Sequence, residues 1–434
     1  MKKFLPLLTL MLWAIIAQAQ SVPKYEVVNT IYEIGYTSYI INYTSAGPDG
    51  EPATVSGAIT VPTSQLAAMP GLWVMDSHHT VSDNASTPST VGSTTAGSMV
   101  VGALAVVIAP DYYGYGVTRD QKHPYLAQKL NARNSLDLLK VALDKLPKEG
   151  QAPLMLCNLG YSQGAGVSMA AQYLMENDET YADILPSFKG GVYTWCGDGP
   201  YDPMTTAKEN IYSSPDKVVF PALLPHIVNG FLCSGPKEQT AELKFTDFFT
   251  DAMAGLEDVV AAKEKANDDL SAWMVQKAGG SFKLSDFFSA DMCSMEAPLF
   301  KKMQPWLEAN SVCTGWTPKN PMFIYHLVED DIVTYANAEL AVKNLGIPEK
   351  NFFPMHASEY DFDPTKEKHS EFAPEFFKAF GIQALGIYSQ VTGIDVTEAK
   401  QHIDNAPRFN LQGQKVGSNY RGFVIQNGKK MLLR

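Results

Sequence analysis

Short runs of apolar residues alternate along the chain with longer segments in which apolar residues recur at helical spacing. The apolar runs lie at residues 57–62, 72–75, 103–109, 154–159, 191–196, 322–326 and 351–355, and a helical pattern covers residues 129–145. Strands that are apolar throughout are buried on both faces, as in a parallel sheet covered by helices. The pattern therefore predicts an α/β fold with a mostly parallel sheet flanked by helices.

The alternation stops between residues 202 and 316, a segment without a convincing core strand. Helical patterns occupy residues 245–256, 257–278 and 299–309 instead. A long insertion between two sheet strands is most simply a helical cap over the active face of the sheet, and a separate helical domain is the alternative. Its clustered phenylalanines could line a substrate pocket or pack against one another: Phe245, Phe248, Phe249, Phe287 and Phe288.

The two ends of the chain differ from this core. Residues 1–19 combine a basic start, an apolar stretch and the small-residue ending Ala17-Gln18-Ala19, which predicts a signal peptide cleaved near Ala19 and a secreted protein. Short strand patterns around Asn427-Gly428, a hairpin turn signal, predict a small β-rich tail. We therefore expect a core of residues 20–201 and 317–385, a cap of residues 202–316 and a tail of residues 386–434.

Composition and charge narrow the possible partners. The 434-residue chain has a net charge of −12, which becomes −14 once Lys2 and Lys3 are removed with the signal peptide. This acidity argues against nucleic acid or an anionic membrane surface as a partner. No later stretch is long and apolar enough for a stable membrane span.

The five cysteines are too few for a disulfide scaffold. Cys293 and Cys313 flank a helical pattern and are the pair best suited to form a bridge. No pair of cysteines has the spacing of a structural zinc site, and we expect neither a metal nor a cofactor.

The segment Gly160-Tyr161-Ser162-Gln163-Gly164 follows an apolar strand and precedes a helix of small residues. In this strand–turn–helix context a G-x-S-x-G motif forms a nucleophile elbow, a sharp turn that exposes the serine hydroxyl. The two glycines let strand and helix approach closely while the serine adopts a strained conformation. Ser162 is therefore the candidate nucleophile.

A serine nucleophile needs an imidazole to accept its proton and a carboxylate to orient that imidazole. In this fold the three follow in the order serine, acid, histidine. Asp330 comes directly after the strand of residues 322–326 and is our choice for the acid, with Asp331 as the alternative; one of them could simply favour a helix dipole. His369, in a loop beyond the last strand, is preferred as the base over His356.

Two backbone N–H groups must stabilise the oxyanion that forms during such a reaction. Gln163, the residue after the nucleophile, is expected to supply one, and His79 or Thr80, in the loop after residues 72–75, the other. The pair His78-His79 near Asp76 also suggests a metal site, but adjacent residues of an extended strand point to opposite faces.

Four motifs resemble α/β-hydrolases of the secretory lipase type, the group typified by fungal lipase A. They are Pro110-Asp111-Tyr112-Tyr113-Gly114-Tyr115-Gly116 with His123-Pro124-Tyr125; the elbow at residues 160–164; Gly315-Trp316-Thr317-Pro318-Lys319-Asn320-Pro321; and His326-x3-Asp330-x2-Val333. The resemblance covers roughly residues 25–385. It implies an α/β-hydrolase fold with a helical cap between the sixth and seventh core strands, and it places the acid at Asp330.

The chain departs from that family at two points. A histidine of the segment Ser77-His78-His79-Thr80 stands where glycine is usual in the oxyanion loop, and Leu327 replaces another glycine. The C-terminal residues resemble the tails of exported proteins of Bacteroides-like bacteria.

The sequence thus predicts a secreted carboxylic-ester hydrolase, an esterase or lipase that acts on a small-molecule or lipid ester through an acyl-enzyme on Ser162. One alternative is a serine peptidase of the same fold, although no β-propeller or clamp for a substrate amine is visible. The other is a non-catalytic binding protein that kept the scaffold.

Overall fold

A computed structural model describes residues 22–33, 35–63, 69–92 and 104–393, together with the backbone of four short strands beyond residue 407. The expected signal peptide and the Asn427-Gly428 turn lie outside the described residues. Nine strands form the main sheet: β1 (Tyr25–Glu33), β2 (Tyr36–Ala46), β3 (Pro52–Pro62), β4 (Leu72–Ser77), β5 (Val106–Pro110), β6 (Met155–Tyr161), β7 (Val192–Gly197), β8 (Met322–Leu327) and β9 (Phe352–Met355).

The strands of the main sheet are ordered β1-β2-β3-β5-β4-β6-β7-β8-β9. From β5 to β9 all neighbours pair in parallel, whereas β1, β2 and β3 form an antiparallel edge. Every residue of β4 and β6 is buried, which explains why these strands are apolar along almost their whole length. The predicted α/β class with a mostly parallel sheet is confirmed. β3 starts earlier than its apolar run, because it pairs with β2 as far as Pro52.

Among the described residues, twelve α-helices surround the sheet or lie between β7 and β8: α1 (Pro88–Val91), α2 (Gln128–Lys145), α3 (Gln163–Asn177), α4 (Pro203–Thr206), α5 (Leu223–Ser234), α6 (Lys237–Thr240), α7 (Leu256–Ala262), α8 (Asn267–Lys277), α9 (Leu284–Phe287), α10 (Pro298–Ala309), α11 (Ala336–Leu345) and α12 (Lys368–Thr392). α12 continues past residue 386, where the sequence placed the start of the tail. Its buried residues Phe380, Ala384 and Tyr388 pack in one hydrophobic cluster with residues of the sheet, so the amphipathic helix ends only at Gly393.

The segment between β7 and β8, residues 203–309, is called the helical insertion below. It contains α4 to α10, a π-helical turn (Ala207–Tyr212) and two 3₁₀ turns (Phe245–Phe248 and Asp251–Met253). The continuous helix predicted for residues 245–256 is wrong, because the chain forms these two separate 3₁₀ turns there. The helix predicted for residues 257–278 is interrupted at Lys263, whose positive φ of 50° ends α7 and whose ammonium group donates to the carbonyls of Arg119 and Gln121.

The cysteine bridge predicted between Cys293 and Cys313 is wrong. Cys313 is buried in the cluster beside the sheet, whereas Cys293 packs against the separate cluster of the helical insertion. All five cysteines are free thiols. Among the residues that the structure describes, no helix is both long and apolar enough to cross a membrane.

Beyond residue 407, four strands form a separate small sheet: β10 (Arg408–Asn410), β11 (Lys415–Val416), β12 (Gly422–Gln426) and β13 (Lys429–Leu433). They are ordered β11-β10-β12-β13, and all neighbours are antiparallel. The pairing of Gln426 with Lys429 joins β12 and β13 on either side of residues 427–428.

Candidate active site

Ser162 lies at the turn between β6 and α3, with φ of 54° and ψ of −124°. A positive φ is strained for a residue with a side chain, and here it is held by a hydrogen bond of 2.8 Å from the Ser162 N–H to the Gly197 carbonyl. A Cβ on Gly160 would lie 2.0 Å from the Gly164 carbonyl oxygen, and one on Gly164 would lie 1.9 Å from that of Ser77. Only glycine fits either position, so the motif forms a tight elbow pressed against the end of β4.

His369 lies in the first turn of α12 rather than in the predicted loop, and its Nδ1 lies 2.6 Å from Oδ2 of Asp330. Asp330 is held in turn by its Oδ1, which accepts the N–H groups of Ile332 at 2.8 Å and Val333 at 2.7 Å. Within the described part of the chain, Nε2 of His369 has no hydrogen-bond partner, and Ser162 and His369 line the same cavity. Burial lowers the pKa of His369, so its imidazole is neutral and able to accept a proton at neutral pH.

The two alternatives from the sequence occupy other positions. Asp331 accepts the N–H groups of Lys368 at 3.2 Å and His369 at 3.3 Å, and so caps the start of α12. The side chain of His356 is half exposed, and its Nδ1 lies 3.5 Å from Glu329. The structure thus brings His369 together with Asp330 and leaves Asp331 and His356 outside that pair.

Gln163 is the first residue of α3, and its side chain is fixed by the His-Pro-Tyr motif. Nδ1 of His123 lies 2.7 Å from the Tyr113 carbonyl and must donate to it, so Nε2 accepts from the Gln163 amide at 2.7 Å. His79 and Thr80 line the cavity that contains Ser162, and the Thr80 hydroxyl lies 3.0 Å from that of Tyr125. The assignment of Gln163, His79 and Thr80 as oxyanion donors stays a prediction.

The neighbouring histidines after β4 have different surroundings. His78 is buried, with Nδ1 2.6 Å from the carbonyl oxygen of His79 and Nε2 3.1 Å from that of Asp111. His79 is exposed toward the cavity, and desolvation by the surrounding protein together with repulsion from His78 and His369 lowers its pKa to about 4. Both ring nitrogens of His78 are thus engaged with the backbone, which leaves no nitrogen for a metal shared with Asp76.

Two cavities meet at Ser162. One is lined mainly by apolar side chains, of which Ile211, Val218, Phe220, Leu223 and Ile227 belong to the helical insertion. The other is more polar and is lined among others by His79, Thr80, Asn267, Asp268 and His369. Phe220 and Leu223 contribute to both cavities. The hydroxyl of Ser162 therefore stands between an apolar and a more polar space.

The clustered phenylalanines of the insertion do not line either of these cavities. Phe245 stacks on Phe249 at 4.8 Å between ring centroids, Phe249 contacts Phe288 at 5.4 Å, and all five are buried in the insertion's own core. Of the two possibilities left open by the sequence, mutual packing is the one observed.

Asp198 is a residue of this site that sequence reasoning missed. It follows β7 with a positive φ of 44°, is fully buried, and accepts the Leu327 N–H at 2.8 Å. Its other oxygen lies 2.7 Å from the Tyr161 hydroxyl and 3.8 Å from Nδ1 of His369. The only available signal was its place at the carboxyl end of the strand beside β6, inside the sequence Gly197-Asp198-Gly199.

Among the described residues, one group of acidic and histidine side chains is close enough to share a cation. Its members are Asp198, His326 and Asp330, with ligand atoms within 4.8 Å of one another. Oδ2 of Asp330 already contacts His369, and Nε2 of His326 lies 2.9 Å from the Val333 carbonyl. These atoms belong to a hydrogen-bond network behind the imidazole.

Comparison with solved structures places this geometry in a known fold. A candidate hydrolase of Legionella pneumophila matches with a TM-score of 0.64 and 18% identity over 85% of this chain and 92% of that chain. A rice cell wall degrading esterase, LipA of Xanthomonas oryzae, matches with a TM-score of 0.61 and 18% identity over 81% and 92%. Candida antarctica lipase A in its closed state matches with a TM-score of 0.54 and 16% identity over 92% and 94%.

These similarities establish that the chain has the α/β-hydrolase fold, as predicted. No protein-family model matches the sequence, and no curated protein sequence matches it either.

Proposed function

We propose that the protein is a serine carboxylic-ester hydrolase in which Ser162 is the nucleophile and His369 the general base. Asp330 is the carboxylate that orients His369. The observation that supports this most directly is that the strained Ser162 lines one cavity with His369. The Nδ1 of His369 is 2.6 Å from a buried carboxylate, and its Nε2 has no hydrogen-bond partner among the residues that the structure describes. This is the set of roles that acyl transfer by serine requires.

In the proposed mechanism, the hydroxyl oxygen of Ser162 attacks the acyl carbon while Nε2 of His369 accepts its proton. The backbone N–H groups of Gln163 and of His79 or Thr80 stabilise the oxyanion. The imidazolium then donates its proton to the leaving alcohol, and an acyl-enzyme remains on Ser162. Water, activated by the same imidazole, releases the acid. We place the acyl group in the apolar cavity and the alcohol in the more polar one, with the helical insertion (residues 202–316 in the predicted division) as the cap.

The test is a panel of p-nitrophenyl esters of increasing acyl length beside peptide anilides, with a fluorophosphonate probe to label the nucleophile. We expect hydrolysis of the esters and a probe adduct on the peptide that contains Ser162. Cleavage of anilides alone would indicate the peptidase, and a folded protein inert toward both substrates and probe would indicate a binding protein.

We also propose that the protein is exported, on the basis of residues 1–19. N-terminal sequencing of protein expressed in a bacterial host that processes signal peptides should give a chain that begins near Gln20. A secreted or periplasmic product that still begins at Met1 contradicts this proposal.

A further inference from the structure

Asp198 lies directly behind the pair formed by His369 and Asp330, and the mechanism above assigns it no role. It is fully buried in a conformation that is costly for a residue with a side chain. Its carboxyl oxygens lie near the Leu327 N–H at 2.8 Å, the Tyr161 hydroxyl at 2.7 Å, Nδ1 of His326 at 3.7 Å and Nδ1 of His369 at 3.8 Å, and also beside the carboxyl group of Asp330. The protons of these groups determine the charge that Asp198 can carry.

The hydroxyl of Tyr161 has one proton and two close oxygen neighbours. It lies 2.5 Å from the carbonyl oxygen of His369 and 2.7 Å from Oδ2 of Asp198. A backbone carbonyl can only accept, so the short contact with His369 requires that the hydroxyl donate there. Burial raises the pKa of Tyr161, and the hydroxyl keeps this proton. The proton between Tyr161 and Asp198 must then come from the carboxyl group.

His326 supports the same assignment from the opposite side. Its Nε2 lies 2.9 Å from the Val333 carbonyl and must donate to it. Burial lowers the pKa of His326, so the ring is neutral and Nδ1 carries a lone pair. That lone pair faces Oδ1 of Asp198 at 3.7 Å and has no hydrogen-bond partner among the described residues. The lone pair would repel a charged carboxylate of Asp198 at that distance, whereas a neutral carboxylic acid can lie there at little cost.

The two neighbouring carboxyl groups differ in how well they are suited to hold a charge. Asp330 accepts two backbone N–H groups and the imidazole of His369, three donors in all. Asp198 accepts one backbone N–H, from Leu327. Two buried carboxylates this close cannot both be ionised at low cost, and the better-solvated one keeps the charge. Burial raises the pKa of both groups, that of Asp330 to about 8 and that of Asp198 to about 7, so the choice between them rests on the number of donors that each accepts.

We propose that Asp198 is a neutral carboxylic acid that donates to Tyr161, and that it acts through Tyr161 as a positioning residue for His369. Tyr161 donates to the backbone carbonyl of His369, so two hydrogen bonds in series hold the first turn of α12 against the end of β6. Asp330 is then the single charged carboxyl in contact with the imidazole. The kinetic part of the test rests on the proposed function, whereas the spectroscopic part does not.

The remaining titratable groups around this network are distributed over every neighbouring element. They are His79 after β4, Tyr161 on β6, Tyr201 after β7, His326 on β8, Asp330 and Asp331 in the loop after β8, and Glu367 and His369 at the start of α12. The experiment therefore compares variants at a fixed pH of about 6, where ordinary carboxylates are ionised.

The decisive measurement is infrared difference spectroscopy of the whole protein. The wild type should show the carbonyl band of a protonated carboxylic acid, and Asp198→Asn should remove it. Asp137 is another buried carboxyl with a raised pKa, so Asp137→Asn serves as the control, which must leave the Asp198 band in place. If Asp198→Asn does not fold, Tyr161→Phe gives the second route, because the band must shift when the acceptor of the acid proton is lost. The absence of both effects would show that Asp198 is ionised.

The kinetic measurement separates positioning from simple support of the fold. Asp198→Ala should lower kcat by about tenfold or more with little change in KM, because a displaced base mainly impairs the chemical step. Asp198→Asn can donate and accept as the neutral acid does, and should recover kcat to within about threefold of wild type. A loss in Asp198→Asn equal to that in Asp198→Ala would contradict the neutral acid, and an Asp198→Ala variant that loses stability but keeps kcat would contradict positioning. If no ester is hydrolysed at all, the proposed function fails while the infrared result still decides the charge on Asp198.

Discussion

The carboxyl edge of the sheet and the helical insertion are built on different principles. At the sheet edge, Ser162 and Asp330 are fixed by hydrogen bonds to backbone groups, and Gly164 leaves no room for any other residue. In the insertion, short helices and 3₁₀ turns are held mainly by the packing of apolar and aromatic side chains.

This difference determines how each region can vary. Hydrogen-bonded geometry is lost when a partner is removed, whereas apolar packing tolerates changes of shape at moderate cost. We therefore expect the edge of the sheet to fix the chemistry and the insertion to determine which substrates fit.

The strongest test of this comparison is to remove the proposed nucleophile. Ser162→Ala should lower kcat for a short-chain ester by about 10⁶ and leave the melting temperature near that of the wild type. Ser213→Ala, at an exposed serine of the insertion, is the matched control and should keep its activity. Activity of Ser162→Ala within tenfold of wild type would remove the sheet edge from the chemistry.

A second test compares two neighbouring acids of the same loop. Asp330→Asn should lower kcat by about 10⁴, because the imidazole loses the carboxylate that orients it. Asp331→Asn removes only a helix cap and should cost about 0.5–2 kcal/mol of stability with a much smaller effect on kcat. Steady-state kinetics and thermal unfolding of both variants decide the matter. Equal kinetic losses, or the reverse order, would show that the acid is assigned to the wrong residue.

A third test lies within the insertion. It compares the effect of truncating a phenylalanine that lines the cavities at Ser162 with the effect of truncating one that does not. Phe220→Ala should shift the preference among acyl chain lengths by about 1–3 kcal/mol, the value of one or two methylenes in an apolar pocket. Phe248→Ala, in the insertion core, should instead lower the melting temperature and leave the order of substrates as it was. The relative kcat/KM values along an ester series distinguish the two. A shift in chain-length preference caused by Phe248→Ala alone would place the pocket elsewhere.

The smallest expected effect concerns pH. Because burial lowers the pKa of His369, the neutral form proposed to accept the serine proton persists below the ordinary histidine value of about 6.5. The acid limb of kcat/KM, which reports the free enzyme, should therefore have its midpoint below that value. A midpoint at or above about 6.5 would mean that the imidazole is stabilised as a cation before substrate binds.

The sheet and the pairing of His369 with Asp330 could be predicted from the sequence for a physical reason. Strands buried on both faces must be apolar, and a glycine-flanked serine after such a strand leaves a recognisable local pattern. Asp330 was proposed from its place in the loop after β8, and His369 from its place beyond the last strand, although His369 lies in a helix and not in the expected loop. The choice between Asp330 and Asp331 rested on spacing, and only the three-dimensional contacts separate their surroundings.

Other parts of the molecule depend on contacts that no local pattern encodes. The helices of the insertion are short because Lys263 and the 3₁₀ turns form hydrogen bonds with distant backbone groups. The ammonium group of Lys263, for example, donates to the carbonyls of Arg119 and Gln121. Asp198 has the local sequence of an ordinary Gly-Asp-Gly turn, and its neighbours Tyr161 and His369 are 37 and 171 positions away. The two cysteines expected to pair lie in different hydrophobic clusters, which the spacing between them could not reveal.

The meeting of two cavities at Ser162 has a consequence for the order of events in turnover. On the proposed mechanism, the alcohol departs through the more polar space while the acyl chain stays anchored in the apolar one. The vacated space is then open to whichever nucleophile arrives next. Water competes there with any alcohol present, so the acyl-enzyme partitions between hydrolysis and transfer to a new alcohol. On this mechanism, the more polar cavity, through which the alcohol leaves, is also where the choice among acceptors is made.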